Sequence, residues 1–208
     1  MGLAARLVRP QPKFPDDLVD LANFGGITKF PSIKRLDATW PGYLQSYQAV
    51  WFVDGDVEIA FEDIDTLFDI FSRYDLWLAQ PSLSPSSFHA HEICVHRPGV
   101  ALRYVNFVEI MAPIFSRHGL KTCLATFDQS ISGWGLDVVW PALLGQPQRR
   151  IAIIDAIQIE HPRKMDLVAG PFYLLLGSMG VDPRAEKKAV MEQYGVTQEF
   201  QTYEYVLK

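Results

Sequence analysis

A continuously apolar run that ends in two acidic residues is the feature that most constrains the fold. The stretch Ala49–Val53 (AVWFV) is apolar at every position, which is typical of a strand buried on both faces of a sheet in an α/β protein. Residues 61–74 then predict an amphipathic helix with acids near its start, and residues 76–80 predict a second strand. This strand–helix–strand order indicates an α/β fold with a mixed sheet flanked by helices.

Further elements follow from the same periodicities and from the positions of Pro and Gly. Helices are predicted at residues 31–44, 115–127, 136–144 and 182–194. Strands are predicted at 108–113, 151–159 and 200–206, with 93–96 and 102–105 forming a hairpin or an interrupted strand pair. Residues 1–30 are rich in Pro and Gly and are expected to be mostly irregular, with a short strand at 18–21.

Length and composition indicate a folded globular protein. The 208 residues are 49% hydrophobic and 21% charged, so we expect a single domain over residues 1–208. Its motif-bearing core is expected at about 25–161, followed by a C-terminal helix and strand within 182–206. The net charge of −5 argues against a nucleic-acid partner bound through its phosphates.

Cys94 and Cys123 lack metal-type spacing and are expected to be buried, reduced thiols.

The apolar segments are too short or too interrupted to cross a membrane. No stretch approaches the roughly 18 apolar residues of a membrane span, and the start of the chain lacks the pattern of a signal peptide. A cytoplasmic location is therefore expected. Residues 167–179 are apolar but contain Gly170, Pro171 and Gly177, and they are interpreted either as core or as a membrane-surface patch. A peripheral membrane contact is thus left open.

Asp54 and Asp56 follow the first predicted strand directly and are separated only by Gly55. At this spacing both carboxylates can converge on one ion, and their hard oxygens suit Mg²⁺ or Mn²⁺, which commonly complete their shell with substrate phosphates. The alternative is an ordinary turn, since Asp-Gly is a strong turn signal. The position at the carboxyl end of a strand, where α/β sheets bind ligands, favours the ion site.

Two further segments carry candidate functional residues. In the stretch GWGLD, Trp134 offers an aromatic face for a sugar or a base, and Asp137 offers an acid. Alternatively, the Trp fills the core and the Asp caps the next helix. His161 follows the strand predicted at 151–159, and this position makes it a candidate metal ligand or acid–base group.

Other polar residues carry weaker signals. Lys29 is a candidate phosphate contact in a cofactor or donor site, with a solvated surface lysine as the alternative. Asp155 lies in the middle of a predicted strand and is expected to be a paired polar group of the core. His89 and His91 alternate as a zinc pair does, but they lack further ligands in the sequence, and we interpret their segment as a surface loop within reach of a substrate.

The order of these motifs resembles that of one family. The segments DGD, QPSLSP, NFVEIMAPIFS, GWGLD and a strand followed by a late His occur in that order over roughly residues 25–161. The same order is typical of a bacterial and plant family described as a domain of unknown function and regarded as glycosyltransferase-like. The chain is also similar in layout to GT-A glycosyltransferases of the β-1,4-galactosyltransferase type.

This resemblance implies a GT-A-like fold and a glycosyltransferase of the hexosyltransferase type. Such an enzyme transfers a sugar from a nucleotide-diphosphate donor to an acceptor hydroxyl of a glycan or another molecule. By the resemblance, Asp54, Asp56 and His161 would hold Mn²⁺ or Mg²⁺ on the donor diphosphate. Asp137 would be the general base on the acceptor hydroxyl, and Trp134 would line the acceptor side.

The segment before residue 25 departs from the family layout. GT-A folds open with a strand and a loop that grip the nucleotide base, whereas this segment is short and Pro-rich, so a short N-terminus is expected. Two rival functions therefore stay open. One is a catalytically silent nucleotide- or sugar-binding protein of the same fold, and the other is a metal-dependent phosphoryl-transfer or hydrolytic enzyme that uses the same aspartates.

Overall fold

The computed structural model describes residues 28–164 and 166–208, together with the backbone of residues 4–8. The helices are α1 (Lys29–Thr39), α2 (Asp63–Arg73), α3 (Arg117–Cys123), α4 (Leu136–Leu143), α5 (Pro171–Ser178) and α6 (Pro183–Tyr194). The strands are β1 (Ala4–Val8), β2 (Ala49–Val53), β3 (Leu78–Leu83), β4 (Val100–Val105), β5 (Ile114–Ser116), β6 (Ile151–Ile159) and β7 (Thr202–Leu207). The strand predicted at 18–21 lies outside the described residues.

The strands form one open sheet in the order β1-β2-β5-β3-β6-β4-β7, with β1 on the outer edge of the other six. β5 is antiparallel to both β2 and β3, whereas β3 and β6 are parallel. The predicted α/β fold with a mixed sheet flanked by helices is therefore confirmed. Because β2, β3 and β6 run in the same direction, their carboxyl ends meet at one edge, where α/β sheets bind ligands.

An aromatic cluster fixes two helices against the sheet. The cluster contains Phe30 of α1, Phe52 of β2, Phe115 of β5, Trp140 of α4, and Phe127, all of them buried. Their ring centroids lie 5.0 to 6.0 Å apart in edge-to-face or tilted pairs. Each such pair contributes about 0.5–1.5 kcal/mol beyond the burial of its area. The start of α1 and the second half of α4 are consequently packed against β2 and β5.

Asp155, in the middle of β6, is paired in the core as predicted. Its carboxylate accepts hydrogen bonds from Arg103 Nε at 2.7 Å, from Arg103 Nη2 at 3.2 Å and from the backbone N–H of Arg97 at 2.8 Å. Arg103 also donates to the carbonyls of Ile93 and Val95. A buried ion pair is tolerated when its remaining donors and acceptors are satisfied in this way.

The predicted pairing of residues 93–96 with 102–105 is wrong. β4 pairs instead with β6 and β7, and Val95 makes a single parallel bridge to Leu83. The Arg103 guanidinium donates hydrogen bonds to the carbonyls of residues 93 and 95. A side chain thus satisfies the backbone groups that a hairpin partner would have bonded.

Residues 4–8, expected to be irregular, form β1 antiparallel to β2.

The predicted strand at 108–113 is also wrong, because this segment is irregular and β5 begins only at Ile114. The carbonyls of Met111 and Pro113 accept from two backbone N–H groups along β2 and the turn after it. Pro113 has no N–H with which to complete a regular ladder. The backbone of this segment therefore follows β2 without joining the sheet as a strand.

The helix predicted at 115–127 begins later, at Arg117. The hydroxyl of Ser116 accepts from the backbone N–H of Gly119 at 3.0 Å, which is the interaction of an N-cap residue. Residues 114–116 pair with β2 and β3 instead.

Within the described residues, no helix is long and apolar enough to cross a membrane.

Candidate functional site

An antiparallel bridge brings the acidic turn after β2 to the end of β6. The backbone N–H of Glu58 donates to the carbonyl of Glu160 at 2.8 Å, and the N–H of Glu160 donates back at 2.9 Å. Asp56 precedes this bridge and His161 follows it directly. The bridge therefore places their side chains together, and His161 Nε2 lies 3.7 Å from Asp56 Oδ2.

The imidazole of His161 is held in one orientation by the loop after β3. His161 Nδ1 lies 2.9 Å from the carbonyl oxygen of Phe88. A carbonyl only accepts, so Nδ1 carries a proton and donates it, and Nε2 faces Asp56. The backbone N–H of His161 donates to Ser87 Oγ at 3.0 Å, and the N–H of Phe88 donates to the His161 carbonyl at 3.0 Å. Metal-binding histidines are typically oriented in this manner.

The gap between His161 and Asp56 fits a cation. A separation of 3.7 Å is too long for a hydrogen bond and shorter than twice a metal–ligand bond of about 2.1 Å. The described part of the chain contains no group of three or more His, Cys, Asp or Glu side chains that could hold a metal ion. The pair therefore offers two protein ligands, and an ion held here would need its remaining ligands from substrate phosphates and water.

Asp54 is paired with Lys29 at the start of α1. Lys29 Nζ lies 2.7 Å from Asp54 Oδ1 and 3.0 Å from the carbonyl oxygen of Met111, and it also donates to the carbonyl of Ile110. These acceptors match the three N–H groups of an ammonium. Lys29 thus partly neutralises Asp54 and ties the acidic turn to residues 110–111. A phosphate contact from Lys29, which would require the exchange of one acceptor, stays a prediction.

Two buried acids, Glu109 and Asp137, have raised pKa values, and the first of them is affected by the charge of Asp54. Burial, together with the charges of Asp137 and Asp54, raises the pKa of Glu109 from 4.5 to about 8. Burial also raises the pKa of Asp137 from 3.8 to about 6, against the lowering effect of Lys187 and of nearby backbone N–H groups. At neutral pH Glu109 therefore holds a proton while Asp137 is ionised. Acids whose pKa values are pushed apart within one site are typical of acid–base chemistry.

Glu109 is a residue that the sequence analysis missed. Its backbone N–H donates to Gln80 Oε1 at 2.6 Å, and Cys94 Sγ lies 3.8 Å from the same oxygen. Glu109 Oε2 is buried and has no hydrogen-bond partner among the described residues. Such atoms are rare in native proteins and call for a functional explanation. The available signal is an ionisable residue inside the apolar run FVEIMAP, a segment that was predicted to be a strand and to carry a family motif but to contain no site residue.

The GWGLD loop packs on α6 and presents Trp134 beside Asp137. Gly135 has a φ of 92°, a conformation that favours glycine. A Cβ at this position would lie 3.1 Å from the Cα of Lys187, so the close packing also requires glycine. Trp134 is half-buried and, together with α6, lines a groove of about 550 Å³. Its ring centroid is 6.3 Å from that of Tyr173 in α5.

The two alternating histidines each have a separate partner. The ring of His91 packs against Phe107 and Phe200 with centroids 4.8 and 5.2 Å apart. Burial lowers its pKa from 6.5 to about 4, so His91 is neutral at physiological pH. His89 Nε2 lies 3.3 Å from Glu92 Oε2. The expected contact of this loop with a substrate stays a prediction.

The two cysteines are buried and free, as predicted. Cys94 lies next to the candidate site, and burial raises the pKa of its thiol well above the usual range. Cys123 lies at the end of α3, and burial raises its pKa as well. Both thiols are consequently protonated and poorly nucleophilic at neutral pH.

Comparison with known proteins identifies a family. A family model matches residues 102–206, half of the chain, and this match includes Glu109, the GWGLD loop and His161. No curated protein matches the sequence. The predicted membership in a family of unknown function is confirmed by the family match. The chain belongs to the family described as Protein of unknown function (DUF707).

Proposed function

We propose that the protein is a metal-dependent glycosyltransferase with a GT-A-like fold, which transfers a sugar from a nucleotide-diphosphate donor to an acceptor hydroxyl. The observation that carries this proposal is the orientation of His161, whose Nδ1 bonds the Phe88 carbonyl and whose Nε2 faces Asp56. A histidine oriented in this way is prepared to bind a metal. It stands at the sheet edge where α/β folds bind ligands.

Asp56 and His161, which already face each other, would hold Mn²⁺ or Mg²⁺, and Asp54 would join them after a movement of the turn, because the three side chains do not form a metal-binding group as they stand. When bound, the ion supplies Lewis-acid stabilisation of the negative charge on the leaving diphosphate. Lys29 contributes through Asp54 Oδ1, because its ammonium reduces the repulsion between the two aspartates. The same contact positions the turn that carries both carboxylates.

Asp137 is proposed as the general base. With a pKa of about 6, it is ionised at neutral pH and still basic enough to accept a proton from a hydroxyl in the transition state. It lies in the first turn of α4, directly after the loop whose Trp134 lines the groove. Lys187, which lines the groove, also lowers the pKa of Asp137, so the buried carboxylate lies behind the wall of the groove, and an acceptor bound there would need a local opening to bring its hydroxyl to it.

Glu109 is proposed to act as a neutral hydrogen-bonding group in the same site. Its pKa of about 8 keeps it protonated at neutral pH, so it adds no further negative charge beside Asp54 and Asp137. A protonated carboxyl group can donate one hydrogen bond and accept others. Its unpartnered Oε2 is therefore suited to a hydroxyl or a phosphate oxygen of a substrate.

Metal-dependent donor binding tests the proposal directly. In calorimetric titrations with UDP and with GDP, the protein is expected to bind one of them in the presence of Mn²⁺ and to release it when the metal is chelated. His161→Ala and Asp56→Asn are each expected to weaken this binding by at least about 10–100-fold, the range typical of damage to the groups around a metal.

His118→Ala is the matched control for these variants. His118 is exposed and packs on Trp77, away from the candidate metal ligands, so binding is expected to be unchanged. Nucleotide binding that needs no metal would contradict the proposed site. Release of free phosphate from the nucleotide would favour a hydrolytic enzyme, and metal-dependent binding with no turnover of any nucleotide-sugar would favour a silent binding protein.

A further inference from the structure

An exposed apolar segment lies next to the candidate site and has no role in the chemistry proposed above. We define the apolar patch as the exposed large apolar side chains of α5, of the turn that precedes it and of the residue that follows it, namely Leu167, Val168, Leu174, Leu175 and Met179. Val168 is 83% exposed and Leu174 is 58% exposed. Within α5 only Leu176 is buried. Contiguous exposed patches of this kind mark interaction surfaces.

The apolar patch is continuous with the groove that Trp134 lines. Tyr173 of α5 meets Trp134 edge to face, with ring centroids 6.3 Å apart. Trp134 in turn lines the groove together with Arg184, Lys187 and Lys188 of α6. The patch, the indole ring and the groove therefore share one face of the molecule.

Basic side chains precede the patch in the sequence and line the neighbouring groove, although the chain as a whole is acidic. We define the basic rim as Arg163, Lys164, Arg184, Lys187 and Lys188. Residues 163–195 contain five basic and four acidic residues, whereas the whole chain has a net charge of −5. Three of these acids, Asp166, Asp182 and Glu186, accept hydrogen bonds from backbone N–H groups. The fourth, Glu192, lies 3.8 Å from Lys188. The surface around the patch is consequently more basic than the rest of the protein.

We propose that this face docks onto the surface of an anionic membrane. The apolar patch would enter the headgroup region while the basic rim pairs with lipid phosphates, which is the combination that binds peripheral segments to bilayers. Within the described residues no helix can cross a membrane, so the contact is interfacial. A second copy of the chain fits less well, because a two-fold contact would bring two basic rims face to face.

Membrane docking also predicts the class of acceptor substrate, and this step rests on the proposed glycosyl transfer. Docking would place Trp134 and the groove that it lines at the bilayer surface, with the groove open to headgroups. The acceptor hydroxyl would then belong to a membrane lipid. Sugar label recovered in the lipid extract of vesicles, after incubation with labelled nucleotide-sugar, is the expected product of such a reaction.

Vesicle flotation tests the docking without metal or nucleotide. The purified protein is expected to float with vesicles made of equal parts of phosphatidylcholine and phosphatidylglycerol, and to float much less with pure phosphatidylcholine. Arg184→Gln combined with Lys188→Gln is expected to reduce the partition coefficient roughly 30-fold, since each basic contact contributes about fivefold. Val168→Ser combined with Leu174→Ser is expected to reduce it at least about tenfold.

Matched controls remove equivalent groups elsewhere on the surface. Arg73→Gln with Lys121→Gln removes two exposed charges from α2 and α3. Tyr205→Ser with Leu207→Ser removes two apolar side chains that are 55% and 71% exposed on β7. Both control pairs are expected to leave flotation unchanged, with circular dichroism used to check that every variant is folded.

Several outcomes would overturn the docking proposal. These are no flotation of the folded wild-type protein, equal flotation with neutral and anionic vesicles, or losses as large in the control pairs as in the patch and rim variants. A dimer that dissociates in the Val168/Leu174 variant, without any flotation, would assign the face to a second copy. Because flotation requires no turnover, it can succeed where donor binding fails, so the two proposals fail separately.

Discussion

Replacing Asp137 with Asn is expected to lower the turnover of a nucleotide-sugar about 10²–10⁴-fold, the usual contribution of a positioned general base. The substitution preserves the shape of a side chain that is only 6% exposed, but an amide cannot take the proton of an acceptor hydroxyl. Metal-dependent nucleotide binding is expected to persist, since the proposed metal ligands are Asp54, Asp56 and His161. Initial rates and calorimetry on the same preparation measure the two effects separately.

The pH dependence of the wild-type rate provides an independent test of Asp137 as the general base. Its pKa is raised to about 6 by burial, and only the deprotonated form acts as a base. The rate is therefore expected to rise with pH through about 6 and then to level off until another group titrates. This rising limb is expected to be absent from the residual activity of the Asn variant.

Asp128→Asn is the control for the Asp137 substitution. Asp128 is exposed and precedes the same loop, so its replacement removes a similar charge without touching the buried site. Its turnover is expected to match the wild type. Equal losses of turnover in both variants, or a loss of donor binding in Asp137→Asn, would remove Asp137 from the role of base.

Replacing Glu109 with Gln is expected to change how the stability of the protein depends on pH. The folded-state pKa of Glu109 is raised from 4.5 to about 8, so the folded protein holds a proton that the unfolded chain releases. The contribution of this proton to stability is fully present below about pH 4.5 and is lost as the pH rises through about 8. Over this window the free energy of unfolding is expected to fall on the order of 4 kcal/mol because of Glu109.

Gln keeps the neutral shape of the side chain and does not ionise. The Glu109→Gln variant is therefore expected to be similar in stability to the wild type near pH 5 and more stable near pH 8, as measured by urea unfolding at both values. Glu199→Gln is the control, because Glu199 is exposed. A wild-type protein whose unfolding free energy follows the same pH curve as Glu109→Gln would show that Glu109 titrates normally.

Several elements could be predicted closely from local patterns. The strands at 49–53 and 151–159 have the predicted bounds, and the helix predicted at 182–194 begins one residue later, at Pro183. A buried strand is indicated by a continuous apolar run, and a helix start is indicated by Pro in the first turn. Both patterns involve only residues that are adjacent in the sequence. Asp54 and His161 could be singled out for the same reason, since each follows a strand that the sequence marks.

The pairing of Asp56 with His161 needed the tertiary structure. Nothing in the local sequence at residue 58 shows that its backbone bridges Glu160, and this bridge is what brings the two side chains together. The irregular path of residues 108–113 also depends on backbone groups of a distant strand. These contacts join segments far apart in the chain, where periodicity contains no information.

By itself, the sequence determined the α/β class, the strands that carry the acidic turn and His161, and the residue types available at their ends. The tertiary structure decided which of these groups meet. It buried Glu109 beside Asp137 and Asp54, which raises two pKa values, and it left the apolar residues of α5 exposed rather than in the core. Local patterns set the backbone of an element, whereas burial and charge depend on which distant segments pack against it.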